Sequence, residues 1–285
     1  MTKYIQSLLS LSFILGLFNL NAQRVSEQFK THWFDGNAEI SSYSLSQSRY
    51  GEIREGSAVL IYVTEDFLKD EQVKANQKSQ TTVPVLKSNR TKKFLTGIYP
   101  YSIMSSSFSG LRSPQAVIKN STSIQEWCGQ SYLQMNHRAG QLEVVSHSYF
   151  QGEADQHFTL EGHRTEDELW NLIRLRPQAL PLGNIKLISS LESSRLNHKN
   201  IEAYDVIASL EQKENTTIYT INYPELKRSL SIEFKNTFPH IIEGWVEYSI
   251  TKGTSTAKRI HTERRQYWKE NNNASEKYRA PFKLN

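Results

Sequence analysis

From Ala38 to Trp268 the chain alternates apolar and polar residues in short runs rich in β-branched and aromatic side chains, with turn formers between them. Side chains on a strand point to opposite faces in turn, so this period of two prescribes a sheet with one covered face. "AEISSYSLSQSRY" and "SAVLIYVTEDF" flank "GEIREG" and read as a hairpin-like pair. The second carries an unbroken apolar centre, Ala58 to Val63, which suits a strand covered on both faces. Asp70 to Thr82 is polar and reads as a long loop or an extended hairpin tip. Further strands are expected at "VPVLKSN", "KKFLTGIYPYSIMSSSF", "QAVIKNSTSIQEW", "SYLQMNH", "QLEVVSHSYF" and "QHFTL".

One helix interrupts the pattern. In "HRTEDELWNLIRLRP", Thr165 and Glu168 have capping-box spacing, and Pro177 marks the stop. Leu169, Leu172, Ile173 and Leu175 supply an apolar face with Trp170 at its edge. Strands then resume with "GNIKLISSL", "IEAYDVIASL", "TTIYTINY", "RSLSIEFKN", "HIIEGWVEYSI" and "TAKRIHTERRQYW". The expected fold is mainly β: a large curved antiparallel sheet, half-barrel or sandwich-like, with one α-helix packed across it. Residues 23–270 form one β-rich domain, divisible into two halves meeting near 164–182, and 271–285 a loose tail.

The first 22 residues have the composition of a secretory signal peptide. Lys3 supplies the positive start, Ile5 to Leu20 the apolar run, and Ala22 the small residue at the cleavage position. The run is short and mixed for a membrane span, which needs about 20 apolar residues. No cysteine follows it, so lipid modification at that point is excluded and an exported protein that is not a lipoprotein is expected, periplasmic or associated with the outer envelope. A lone cysteine, Cys128, allows no internal disulfide and favours a bacterial envelope over a eukaryotic secreted domain.

Net charge is only +5, with much of the basic excess in the last strand and tail, from Lys252 to Lys283. Lys and Arg there read first as protection of an edge strand, second as a surface for anionic lipid or polysaccharide. Nucleic acid is not an expected partner, and lipid or another envelope component is.

The residues with chemical promise lie between 121 and 158. "QEWCGQSY" matches part of a thiol-protease pattern, but puts Ser131 where the nucleophile belongs, and the chain turns at Ala139-Gly140 where a long helix is required. A catalytic Cys128 needs a neighbouring base, and His137 and His147 are the candidates. Were 124–132 one strand, Cys128 would share a face with Ile124, Glu126, Gln130 and Tyr132 as a half-buried thiol. Glu153, Asp155 and His157 would share a face if extended and offer carboxylate and imidazole ligands to a metal, although Gly152 and Ala154 favour a bend. No phosphate loop, nucleophile elbow or His-Glu-x-x-His motif is present, and no cofactor is expected. The aromatics Trp33, Tyr99, Tyr101, Trp127, Tyr149, Phe150, Trp245 and Trp268 suit either a lined groove or a β core.

"GIYPYSIMSSSF", "TSIQEWCGQSY", "SHSYFQGEADQHF" and "AEISSYSLSQSRYGEI", the last followed by "GSAVLIYVTEDF", resemble a family of exported bacterial proteins that go by the label septum formation inhibitor Maf. The resemblance spans nearly the whole chain after the signal segment and implies an uncharacterised envelope function. The nucleotide pyrophosphatases that share the label are cytoplasmic α/β proteins with a Ser-x-x-Arg-Arg type motif near the start. "LRSPQA" at Leu111 to Ala116 lacks the paired arginines, so their chemistry is not implied. Two classes of function follow. One is a non-enzymatic envelope protein that binds or carries an apolar or amphipathic ligand on a curved sheet; the other is an exported hydrolase or metal-dependent enzyme centred on 128–157.

Overall fold

A computed structural model describes residues 27–111 and 117–284. The expected signal segment and most of "LRSPQA" lie outside them.

After a short helix α1 (Glu27–Trp33), strands β1 (Ala38–Arg49) and β2 (Glu52–Leu68) form the first hairpin. Its turn is Tyr50-Gly51, with φ of 56° and 80°, the left-handed pair whose twist matches the flanking strands. These two residues reverse the chain, so most of the expected connection "GEIREG" is strand. Within the polar 70–82 stretch a short β3 (Val73–Lys74) pairs with β2. There follow β4 (Thr82–Thr96), β5 (Tyr99–Gly110), β6 (Val117–Glu126), β7 (Gly129–Arg138), β8 (Gln141–Ser148) and β9 (Gln156–Glu161). β4 pairs with β2 and each later strand with the one before it, all antiparallel.

The chain then passes from β9 to β10 (Arg164–Thr165), helix α2 (Glu166–Leu175), β11 (Gly183–Ile188), helix α3 (Leu191–Leu196) and β12 (Ala203–Gln212). It ends with β13 (Thr216–Tyr223), β14 (Arg228–Lys235), β15 (Ile242–Ser249) and β16 (Gly253–Arg265). All sixteen strands among the described residues belong to one curved sheet, in the order β10 to β16, then β1, β2 and β4 to β9, with β3 beside β2. Strands before and after α2 thus join through the β1–β16 ladder. The two edges, β9 and β10, are consecutive in the chain.

This order corrects the reading of the basic last strand. β16 lies inside the sheet, hydrogen-bonded to both β15 and β1, and is no edge. Its charges are neutralised locally: Arg259 pairs with Glu243 at 2.9 Å, Arg264 with Asp35 at 2.6 Å, and Arg265 with Glu270 at 2.8 Å. The tail is corrected too. Residues Asn273–Phe282 form a 3-10 helix that seats Phe282 against Ala38, Ile40 and Val63, with Val59 and Ile61 beside them. That contact covers the outer face of β2, while Ala58, Leu60 and Tyr62 face the main core.

α2 packs on the inner face through Leu169, Trp170, Leu172 and Ile173, and its capping box is formed: Thr165 accepts from the Glu168 amide, and Glu168 from the Thr165 amide. Its polar face is buried as well. Glu166 chelates Arg228 at 2.6 and 2.8 Å, Asp167 meets Arg90, and Asn171 donates to the Leu86 and Ser107 carbonyls. Arg174 makes two N···O approaches of 2.7 Å to Glu39. Burying a charge is costly unless it is paired and hydrogen-bonded, and these side chains are. Around α2 the inside of the sheet is therefore a filled, partly ionic core.

Candidate ligand-binding cleft

The hairpin β6–β7 turns at Trp127-Cys128, between the two strands expected on either side of it, so the condition of one strand through 124–132 is not met. Cys128 is consequently exposed and not half-buried. Its amide donates to the Glu126 carboxylate at 2.7 Å, and that same carboxylate, by hydrogen bond and charge, pushes the thiol pKa up. A nucleophilic thiolate needs the opposite shift.

His147 stands across from Tyr132 in the β7–β8 ladder, and its Nδ1 lies 2.8 Å from Asp155 Oδ1, both side chains being exposed. Gly152 and Asp155 hold positive φ, 80° and 38°, giving the bend that Gly152 announced. The bend separates the three suggested metal ligands. Asp155 goes to His147, while Glu153 accepts from Ser148 Oγ at 3.1 Å and pairs with His198 and Arg195. His157 lies in β9 opposite Val145. Among the described residues no group of three or more His, Cys, Asp or Glu is placed to hold a metal ion.

Glu153 instead marks the mouth of a cleft between the β9 edge and the segment around and after α3, with about 460 Å³ accessible to water. The cleft forms because β9 ends the sheet: β10 pairs with β11 and leaves that side open. Its floor is apolar. Leu133 comes from the inward face of β7, Phe158 and Leu160 from β9, and Ile201 from the approach to β12. They extend a second core cluster made by Met135, Leu142, Val144, Ile188 and Leu191.

The walls at the mouth are charged, with Arg195, His198 and Lys199 facing Glu153 and Glu202. Arg195 is fixed by its bond to Ser131 Oγ at 2.8 Å and by stacking over Phe150 at 3.8 Å, and its partial burial lowers its pKa. An apolar floor with a few polar groups at one end can hold a molecule with a hydrocarbon part and a polar head.

Two other hollows differ in character. One, on the outer face, is lined by Gln125, Gln130, Tyr132, His147, Tyr149 and Asp155. The other lies between α2, α3 and the inner wall, with about 60 Å³ accessible to water. It is ringed by internal pairs, among them Lys92–Glu192 at 2.6 Å and Arg228–Glu247 at 2.6 Å. The aromatics read as groove or core divide: Trp33, Tyr101 and Trp245 are core, while Trp127 and Tyr149 are exposed. Residues 195–201 were missed by sequence reasoning. The signal was there in Arg195, His198 and Lys199 crowding around Leu196, a few residues after the run "GNIKLISSL" taken for strand.

Fold and cleft together define a β-barrel-like protein built on one open, curved sheet. No family model matches the chain, and no curated protein does. Among solved structures it is similar to a beta-barrel-like protein of domain of unknown function DUF1849 from Brucella abortus, with a TM-score of 0.50 and 7% identity, covering 80% of this chain and 97% of that one. At that identity the likeness is one of fold.

Proposed function

We propose that this chain is an exported cell-envelope protein that works by binding, and that the cleft beside β9 holds an apolar or amphipathic ligand, lipid or another envelope component. The observation that carries the reading is the pairing of an apolar floor, Leu133, Phe158, Leu160 and Ile201, with a charged mouth at Glu153, Arg195, His198 and Lys199. The signal-like first 22 residues and the resemblance to the exported family labelled septum formation inhibitor Maf support the compartment, periplasmic or outer-envelope, without lipid attachment. An exported hydrolase or metal-dependent enzyme centred on 128–157 has weaker support, because Glu126 opposes thiolate formation at Cys128 and the acidic side chains diverge.

The test is displacement of a naphthylamine probe by a lysophospholipid. The wild type is expected to bind the probe saturably and release it to the lipid. Phe158→Ala removes floor area worth about 1.5–3 kcal/mol, so binding should weaken roughly tenfold or more when measured below the melting transition of the variant, which packing of Phe158 on the second core cluster makes lower than that of the wild type. No saturable binding by the wild type, or equal binding by the variant, would overturn the proposal.

A further inference from the structure

In an antiparallel sheet alternate turns emerge at the same end. Five turns along the continuous run from β15 to β9 do so together: β15–β16, β1–β2, β4–β5, β6–β7 and β8–β9. Each carries a large apolar or aromatic residue at its tip, namely Ile250, Tyr50, Ile98, Trp127 and Tyr149, exposed by 58 to 84%. Physical contacts run from one tip to the next. Ser48 bonds the Lys252 carbonyl, and Tyr50 Oη lies 2.8 Å from Tyr101 Oη. Tyr99 bridges Tyr101 and Trp127, with ring centroids 6.1 and 6.4 Å away. Tyr149 lies so close over Gly129 that a Cβ there would meet its ring at 2.6 Å, and Phe150 then meets His198 at 5.5 Å. The arc thus ends at the mouth of the cleft.

The foremost residues are uncharged, Tyr50-Gly51, Gly97-Ile98, Trp127-Cys128, Tyr149-Phe150 and Ile250-Thr251, although Glu153 and Asp155 follow in the longer β8–β9 turn. Behind them stand both signs, Lys93 and Lys252 with Glu52 and Glu126. Turns at the opposite end are built differently. They carry Lys69-Asp70-Glu71, Arg138, Glu161 with His163, and Lys213-Glu214, and the exposed Phe34 and Trp268 near that end are followed at once by Asp35 and Lys269. Along the run from β15 to β9 the tips are thus apolar at their extremities. At the same end the neighbouring β13–β14 turn brings Glu225 and Lys227, and at the other end the β14–β15 turn over 236–241 is the less ionic one.

We infer that the arc is a docking surface for a lipid bilayer, with Tyr50, Ile98, Trp127, Tyr149 and Ile250 entering the headgroup region. Trp and Tyr favour that region because each joins an apolar ring to a polar group. Separate turns projecting single side chains suit a soft interface, whereas a protein partner would need a matching row of pockets. Lys93 and Lys252 against Glu52, Glu126, Glu153 and Asp155 leave no basic excess beside the tips, which selects the bilayer's apolar boundary over its anionic headgroups. The cleft opens on the same end, so docking would bring its mouth to the membrane, but the docking itself does not rest on the cleft being occupied.

The experiment is flotation of the chain from Gln23 onward, which keeps every described element, with uncharged phosphatidylcholine vesicles. Wild type should float with the vesicles, and should still do so at about 0.5 M salt, where charge attraction is screened within a few ångströms. The double variant Ile98→Glu, Trp127→Glu should bind at least tenfold more weakly with an unchanged melting temperature. Val73→Glu, an exposed apolar site at the far end, should float like wild type, and so should Phe158→Ala, which separates this inference from the cleft reading. No flotation of wild type, loss of flotation in high salt, or equal flotation of the double variant would overturn it. So would a wild type that self-associates through these tips and ignores vesicles.

Discussion

At the scale of single residues, the most exacting environment belongs to Glu39. Burial alone would raise its carboxyl, but the Arg174 guanidinium and His32 outweigh burial and hold its pKa at about 2. Arg174 is itself clamped, donating from Nε to the Pro239 carbonyl at 2.8 Å and lying over Tyr62 at 4.5 Å. A depressed folded-state pKa means the unfolded chain takes up protons first. The pair's contribution is therefore complete above about pH 4.5 and is lost as the pH falls toward 2. Glu39→Gln should lower stability at neutral pH by on the order of 3 kcal/mol. Its loss of stability between about pH 5 and pH 2.5 should also be shallower than the wild type's, as urea titrations at several pH values would read. A parallel loss would remove Glu39 as the titrating group. None of this was legible beforehand. Glu39 reads as an outward polar residue of an alternating strand, and its partner lies 135 residues away in α2. Glu153 makes the same point: the acidic run was visible, but His198, 45 residues on, was not visible as its partner.

Among the elements, α2 was readable because its signals are local: a cap, a period and a proline. Thr165 does double duty, accepting from the Glu168 amide at 3.2 Å and from Asn120 Nδ2 at 2.8 Å. Thr165→Ala should therefore cost more than the roughly 1 kcal/mol of an ordinary cap, because the Asn120 amide is left buried and unpaired. Thr165→Ser, which keeps the oxygen, should recover most of it in thermal melts, and failure to do so would show that the methyl, not the bond, matters. α3 escaped notice because six residues show no helical period, and only Ser190 accepting from the Ser193 amide marks its start. β16 misled for a different reason. A row of Lys and Arg looks alike at an edge and in an interior strand whose neighbours supply Glu243 and Asp35, and single-sequence patterning does not reveal neighbours.

At the scale of the molecule, alternation was enough to read a large curved sheet, since period two is a property of every strand. Strand order was not legible, because it depends on which distant ladders close. The longest closure joins β1 to β16, where Ser41 Oγ meets Thr262 Oγ1 at 2.8 Å across 221 residues. Sheets dominated by such distant pairings fold slowly, in milliseconds to seconds or longer. Refolding from urea, followed by tryptophan fluorescence, should fall at or beyond the slow end of that range, and a microsecond phase carrying the full amplitude would contradict it. The same ladder sets a clock on biosynthesis. Ribosomes add about 5–20 residues per second, so β1 emerges roughly 10–45 s before the strand that must cover its open side. For that interval a twelve-residue strand offers unpaired amides and carbonyls to any neighbour. Until β16 arrives, that side of β1 is open to wrong partners in a way that the finished sheet is not.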